Sequence, residues 1–239
     1  MRNLRGIALI AVNFVREQRW PILVLQIWVL ALAALGLLVD GKNNRDDMLL
    51  MFKQLALYGV AFSVFFGGSA IYNERRSRRI LAVLAKSIRR RDYLSGLLLG
   101  VALAAGLFCF VLGFTGTWNL GQVGMPIPFL WYLMLCLFSA CVLAAAVALF
   151  YSTHLNPWMS ALLTGLTLGL PGAAAYQMGG AWGYILPVAS LMRILVKASF
   201  AQDQIISWWP IVIAWIESAI LWAAASWVFA RVDVAVSVE

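Results

Sequence analysis

Residues 73–92 read NERRSRRILAVLAKSIRRRD, eight arginines and lysines within twenty positions. A cluster of this kind attracts anionic lipid, nucleic acid or an acidic protein surface, but it makes and breaks no bonds by itself. Groups that could do covalent chemistry are few. Ser69, in Gly67-Gly68-Ser69-Ala70, and His154, the single histidine, are the one nucleophile–base pair to weigh. Glu217 is an acid inside an apolar run, where a charge costs roughly 3 kcal/mol unless it is paired or wetted. It can be protonated, face a cavity, pair with Arg193 or Lys197, or hydrogen-bond between helices. Cys109, Cys136 and Cys141 lie in apolar runs with no Cys-x-x-Cys spacing, so they read as small packing residues. No Gly-x-x-x-x-Gly-Lys-Ser/Thr loop is present, so the chain does not bind ATP in that way.

These groups must be positioned by a chain that water cannot solvate. Mean hydropathy is +0.87, 63% of residues are hydrophobic and 12% are charged, against about 25% charged in soluble domains. The class is therefore an all-α integral membrane protein. Six segments reach the roughly twenty residues a crossing requires: 20–39, 48–72, 93–114, 129–151, 158–176 and 208–230. The fifth is the weakest, interrupted by Pro171-Gly172. An early apolar run at residues 6–15 is too short for a signal peptide and lacks its cleavage site.

Charge then sets orientation. Of 18 lysines and arginines, 13 fall in residues 1–19, in residues 73–92 or at Arg231. The connection near residues 40–47 is mixed in sign and the one near 115–128 is uncharged. This asymmetry predicts both termini in the cytoplasm and speaks against a nucleic-acid partner. Trp20, Tyr72, Tyr93, Tyr151, Trp158 and Trp227 are expected at the inner interface, and Trp131, Tyr132, Trp208 and Trp209 at the outer one.

Three further segments belong on the membrane rather than across it. Residues 1–19 place Leu4, Ile7, Ala11 and Phe14 on one helical face and Arg2, Arg5 and Arg16 opposite, which predicts an interfacial helix. In residues 73–92, Ile80, Leu81, Leu84 and Ile88 share one arc and the cations face away. Residues 177–205 hold Gly179, Gly180, Gly183 and Pro187 before a short amphipathic run, which predicts a broken, partly re-entrant piece lining a cavity. Gly96-x-x-x-Gly100 and Gly165-x-x-x-Gly169 predict close helix approach. The whole of residues 1–239 reads as one transmembrane domain.

The pattern resembles the membrane (permease) subunit of a type-2 ABC exporter, with an N-terminal elbow helix, six spans and a cytoplasmic coupling helix. The local match runs from Glu74 to Gly100. Glu74, Arg75 and Arg76 match the family's acidic-basic opening, Leu81 and Leu84 its Leu-rich run, Ser87-Ile88-Arg89 its Ser-Arg step and Gly96 its helix entry. Ser77-Arg78-Arg79-Ile80 replaces the family's Gly-Thr turn, and no proline lies near Ser87.

The resemblance implies a permease of a bacterial-type inner membrane, exporting a hydrophobic or amphipathic substrate. It would pair with a second copy, identical or different, and be driven by a separate cytoplasmic ATPase that carries the ATP and magnesium. This chain itself would hold no cofactor and would not be an enzyme. Contact with the ATPase is expected at Glu74, Arg75, Arg76, Arg79, Leu84, Lys86, Ser87, Arg89 and Arg90, and Glu217 is the candidate for the translocation path. The alternative is a non-catalytic scaffold that recruits a cytoplasmic partner through residues 73–92. An intramembrane serine protease fits less well: its Gly-x-Ser-Gly turn ends here in Ala70, and its histidine lies within a span, whereas His154 falls in a loop.

Overall fold

The computed structural model describes residues 2–38, 45–76, 89–121, 124–178, 191, 194 and 206–231. Seven helices account for nearly all of them, with no strand among the described residues. They are α1 (Arg2–Glu17), α2 (Arg19–Leu38), α3 (Arg45–Arg76), α4 (Arg90–Gly121), α5 (Ile127–Ser152), α6 (Pro157–Met178) and α7 (Trp209–Arg231).

Four stretches are long and apolar enough to cross a membrane by themselves: Leu49–Asn73, Arg90–Asn119, Ile127–Ser152 and Trp209–Arg231. A fifth arises if α1 and α2, bent by 65° at their junction, count as one broken span. Among residues whose side chains are described, α6 contributes a shorter apolar helix, Pro157–Leu170. Its backbone nevertheless stays helical through Pro171 to Met178, so the Pro-Gly pair does not end it. Helices α3 and α4 run 32 residues each, longer than the apolar segments that mark them. Hydropathy sees only the apolar stretch, whereas backbone hydrogen bonding continues into the polar flanks. At about 1.5 Å per residue each is about 48 Å long, more than the hydrocarbon thickness of about 30 Å.

Helix α5 occupies the centre. Of its 26 residues 19 are buried, against 7 of 23 in α7. Around α5 the order is α7, α4, α3, α6, with α2 and α1 packed on the outer side of α4. Small residues make this possible. A Cβ on Gly67 of α3 would lie 2.7 Å from the Ala145 carbonyl oxygen and 3.0 Å from the Ala148 Cβ, so α3 and α5 touch backbone to backbone. On α6, the Ser160 hydroxyl donates to the Ala148 carbonyl at 2.8 Å.

Gly96 and Gly100 accept α1. A Cβ at Gly96 would meet Ile10 at 2.6 Å, and one at Gly100 would meet Phe14 at 2.8 Å. The Phe14 ring in turn stands edge-on to Phe66. The amphipathic N-terminal helix is thus seated on protein through Ile10, Ala11 and Phe14, while Leu4, Leu9 and Val12 are exposed. Gly165 and Gly169, in contrast, have open space where a Cβ would go, so this second small-residue pair packs on nothing within the chain's described residues.

The helices alternate in direction. One end of the bundle gathers the starts of α2, α4 and α6 and the ends of α3, α5 and α7, as Phe65–Trp158 and Arg90–Phe229 contacts record. The opposite end is closed by Asn119, which donates to Ala33, and by the Tyr132 hydroxyl, which donates to the Ser207 carbonyl at 2.6 Å and accepts from its N–H at 2.9 Å.

The contrast between the glycines is testable. Gly67→Ala should destabilise the protein by about 1–3 kcal/mol, because the added methyl meets rigid backbone. Gly165→Ala should be neutral or stabilise by about 0.5–1 kcal/mol through helix propensity alone. Thermal unfolding of the two purified variants in one detergent checks the pair.

Candidate functional site

The basic end of the bundle is built from helix termini. Residues 74–76 form the last turn of α3, and Arg89 precedes the first turn of α4. Arg79, Leu84, Lys86 and Ser87, with the expected amphipathic face of the linking segment, lie outside the described residues, as do the side chains of Glu74, Arg75 and Arg76.

At the described end the three consecutive arginines have different surroundings. Arg90 is half-buried, and its Nη1 donates to the carbonyls of Phe229 and Ala230 at 3.0 and 3.1 Å. Those carbonyls belong to the last described turn of α7, and a helix C-terminus favours a cation. The guanidinium also lies 5.9 Å from the Phe229 ring centre. Arg90 is therefore a clasp between the start of α4 and the end of α7. Arg89 and Arg91 are exposed. Arg231 at the tip of α7 stacks 3.7 Å above the Trp227 ring, and Arg19 stands 5.7 Å from Trp20.

Glu217 sits on α7, half-buried, and its Oε2 is buried without a hydrogen-bond partner among the described residues. It shares one flank of the helix with Ile213 and Ala224, both half-buried. That flank lies on the side of α7 away from the residues that face α4, Trp215, Ser218, Ala219 and Trp222. The proposed partners Arg193 and Lys197 lie outside the described residues. Of the region expected to be re-entrant, Leu191 is fully buried in the core and Ile194 packs beside it; the remainder of 179–205 is not described.

The opposite flank of α7 forms, with α4, a groove of about 780 Å³ floored by Phe138 and Val142 of α5. Ser95, Ala102 and Gly106 of α4 and Trp215 and Trp222 of α7 shape its walls. A smaller recess of about 410 Å³ lies between α2 and α3, at Trp28 and Tyr58. Near it on α2, Gln26 is buried and its side-chain amide has no partner among the described residues.

The nucleophile–base pair is not assembled. The Ser69 hydroxyl turns back on the Phe66 carbonyl at 3.5 Å, His154 is exposed beyond the end of α5, and no hydrogen bond joins them. Among the described residues no group of three metal-ligating side chains comes together.

Two features escaped the sequence reading. Arg90 looked like one more cation of a basic cluster, and only the proximity of α7 reveals its clasp. The α4–α7 groove had a signal, the small residues Ser95, Ala102 and Gly106 spaced along one face of α4, next to the Gly96–Gly100 face that receives α1. No family model, curated protein or solved structure matches the chain.

The clasp predicts a split between neighbouring arginines. Arg90→Ala should cost about 1–3 kcal/mol, the range for hydrogen bonds to a charged donor, with partial recovery in Arg90→Lys. Arg89→Ala should change stability by less than about 0.5 kcal/mol, as exposed surface substitutions do. Melting temperatures of the three variants decide it.

Proposed function

We propose that this chain is the membrane subunit of an ABC-type exporter, crossing the membrane six times with both termini in the cytoplasm. A hydrophobic or amphipathic substrate would move outward, driven by ATP hydrolysis on a separate ATPase subunit. The observation that carries the reading is the composition of one end of the bundle. There the cation-rich segment 74–92 enters α4, Arg90 clasps α7, and the bent amphipathic α1 lies against the start of α4. A segment so placed touches the membrane-embedded core through two helices at once, which a lever driven by a cytoplasmic motor requires.

Six crossings follow when α2 and α6 are counted with the four longest apolar helices. Each has about twenty residues or more, 20 in α2 and 22 in α6. The basic end then lies inside by the positive-inside rule. Tryptophans support this: Trp20, Trp158 and Trp227 are exposed at the basic end and Trp208 and Trp209 at the other, as amphipathic rings at two interfaces would be. The tyrosines divide differently. Tyr93 and Tyr132 stand near the two ends of the bundle with their rings buried in the protein. Working as a pair with a second copy is part of the proposal, and the unpacked Gly165–Gly169 face of α6 and the Glu217 flank of α7 are the surfaces left for that copy or for the substrate path.

The orientation has a direct test. All three native cysteines are buried, so added thiols report without much background. A membrane-impermeant maleimide should label Pro126→Cys in intact cells and His154→Cys only after permeabilisation. The opposite pattern would invert the topology.

The motor has another. A tagged protein purified in mild detergent should retain an ATPase whose gene lies beside its own. Arg89→Glu, which leaves the Arg90 clasp in place, should lower that retention at least several-fold while membrane insertion is unchanged. A protein that never retains an ATPase, and whose gene has no neighbour encoding a phosphate loop, would be a scaffold that recruits another partner through residues 73–92.

A further inference from the structure

The α4–α7 groove has the dimensions and chemistry of a site for one lipid. Along α4 it runs from Ser95 to Phe110, fifteen steps or about 22 Å at 1.5 Å per residue. That exceeds one hydrocarbon leaflet of about 15 Å, half the core thickness. Its walls are almost wholly carbon, from Leu99, Leu103 and Leu107 on one side and Trp215 and Trp222 on the other. The hydroxyls at its edges are already spent within their own helices: Ser95 donates to the Arg91 carbonyl and Ser218 to the Ala214 carbonyl. One polar group in the wall stays open: the Trp222 Nε1–H is buried without a hydrogen-bond partner among the described residues.

Charge appears only at one end. Arg91 lies one turn before Ser95 on the same face of α4, exposed and without a hydrogen-bond or ion-pair partner among the described residues. It also stands at the positive end of the α4 dipole. Arg90, beside it, is committed to α7. The groove is therefore an apolar trough of acyl-chain length whose basic end lies one helical turn from Arg91, a guanidinium without a partner among the described residues.

We infer that this groove binds a single anionic phospholipid of the leaflet at the basic end, its acyl chain along α4 between α7 and α5 and its phosphate at Arg91. The length of the trough selects an acyl chain, and the cation one turn from its basic end selects a negative headgroup. Bound there, the lipid fills the space between α4 and α7 beyond the Arg90 clasp. The leaflet assignment rests on the orientation proposed above; the groove and its headgroup preference do not.

Native mass spectrometry of the full-length protein in detergent tests this with two probes, dioleoyl phosphatidylglycerol and dioleoyl phosphatidylcholine. The wild type should retain the glycerol lipid at lower added concentration than the choline lipid. Arg91→Gln should reduce that preference about fivefold, the factor one basic residue contributes at an anionic surface, while still retaining lipid. Gly106→Leu should lower retention of both lipids. A Cβ at Gly106 would meet only Phe138, at an ordinary 3.5 Å, so the larger side chain fills the groove without disturbing the helix contact; monodisperse elution of both variants checks their folding. Equal retention of the two lipids in the wild type, or retention unaltered by Gly106→Leu, would overturn the site. So would efficient cross-linking of Leu103→Cys between two copies in membranes, which would make the groove a protein interface. Reversed labelling at residues 126 and 154 with lipid retention intact would overturn the leaflet assignment alone.

Discussion

The burial of α5 is the constraint on which the other contacts depend. In a membrane, helices gain little from hiding apolar surface, since lipid tails are as apolar as leucine; close packing and hydrogen bonds must hold them together. Helix α5 meets that demand with a run of small residues, Ser139, Ala140, Cys141 and Ala144–Ala146, all buried. A helix with little side-chain bulk can be approached from all sides. Helix α3 approaches through Gly67, α6 through the Ser160 hydroxyl bond to Ala148, α4 through Gly113 beside Met134, and α7 through Trp215 against Phe138. The cysteines Cys136 and Cys141 belong to this same set of small buried residues.

Much of this was legible in the sequence, for reasons that differ between elements. The positions of the apolar helices follow from hydropathy, because a stretch of twenty apolar residues has few other places to go. The amphipathic α1 was legible from its period, and the Gly96–Gly100 pair from its spacing. What covers those glycines was not, because a spacing says that something comes close without saying what. The helices run up to seven residues past the expected spans where their flanks continue the hydrogen-bond ladder, and Pro171 does not stop α6, since one missing N–H can be tolerated within a membrane helix. Tyr93 and Tyr132 were expected to line the interfaces by residue type; both lie near helix ends, with their rings buried against neighbouring helices. Residue type gives the preference of a side chain; the register of its helix decides what it gets.

The candidate site was less legible than the fold. A basic cluster read from sequence treats its members as interchangeable, and Arg89, Arg90 and Arg91 are not. The three point in different directions because successive residues on a helix are turned by about 100°. One reaches the carbonyl end of α7, one lies on the α4–α7 groove face, and one stands outside. Distinguishing them requires the neighbouring helices, which are more than a hundred residues away in sequence. Glu217 was visible as an intramembrane acid. Its flank, away from the residues of α7 that face α4, became visible only from the packing of α7 against α4 and α5.

The weak packing of α7 gives this division of arginines its mechanical meaning. Only 7 of its 23 residues are buried, and a groove and the Glu217 flank lie along its two sides. Polar contacts fasten it at both ends, the Tyr132 hydroxyl to Ser207 just before its start and the Arg90 guanidinium to its last carbonyls. Between these ends α7 is seated on α5 along one face, through Ala214, Ser218 and Ala225, and the remaining faces carry the groove and Glu217. In the exporter reading, a push on residues 74–92 therefore reaches α7 through one guanidinium, moves the flank that carries Glu217, and leaves the α3–α5 contact at Gly67 as the fixed part against which that motion occurs.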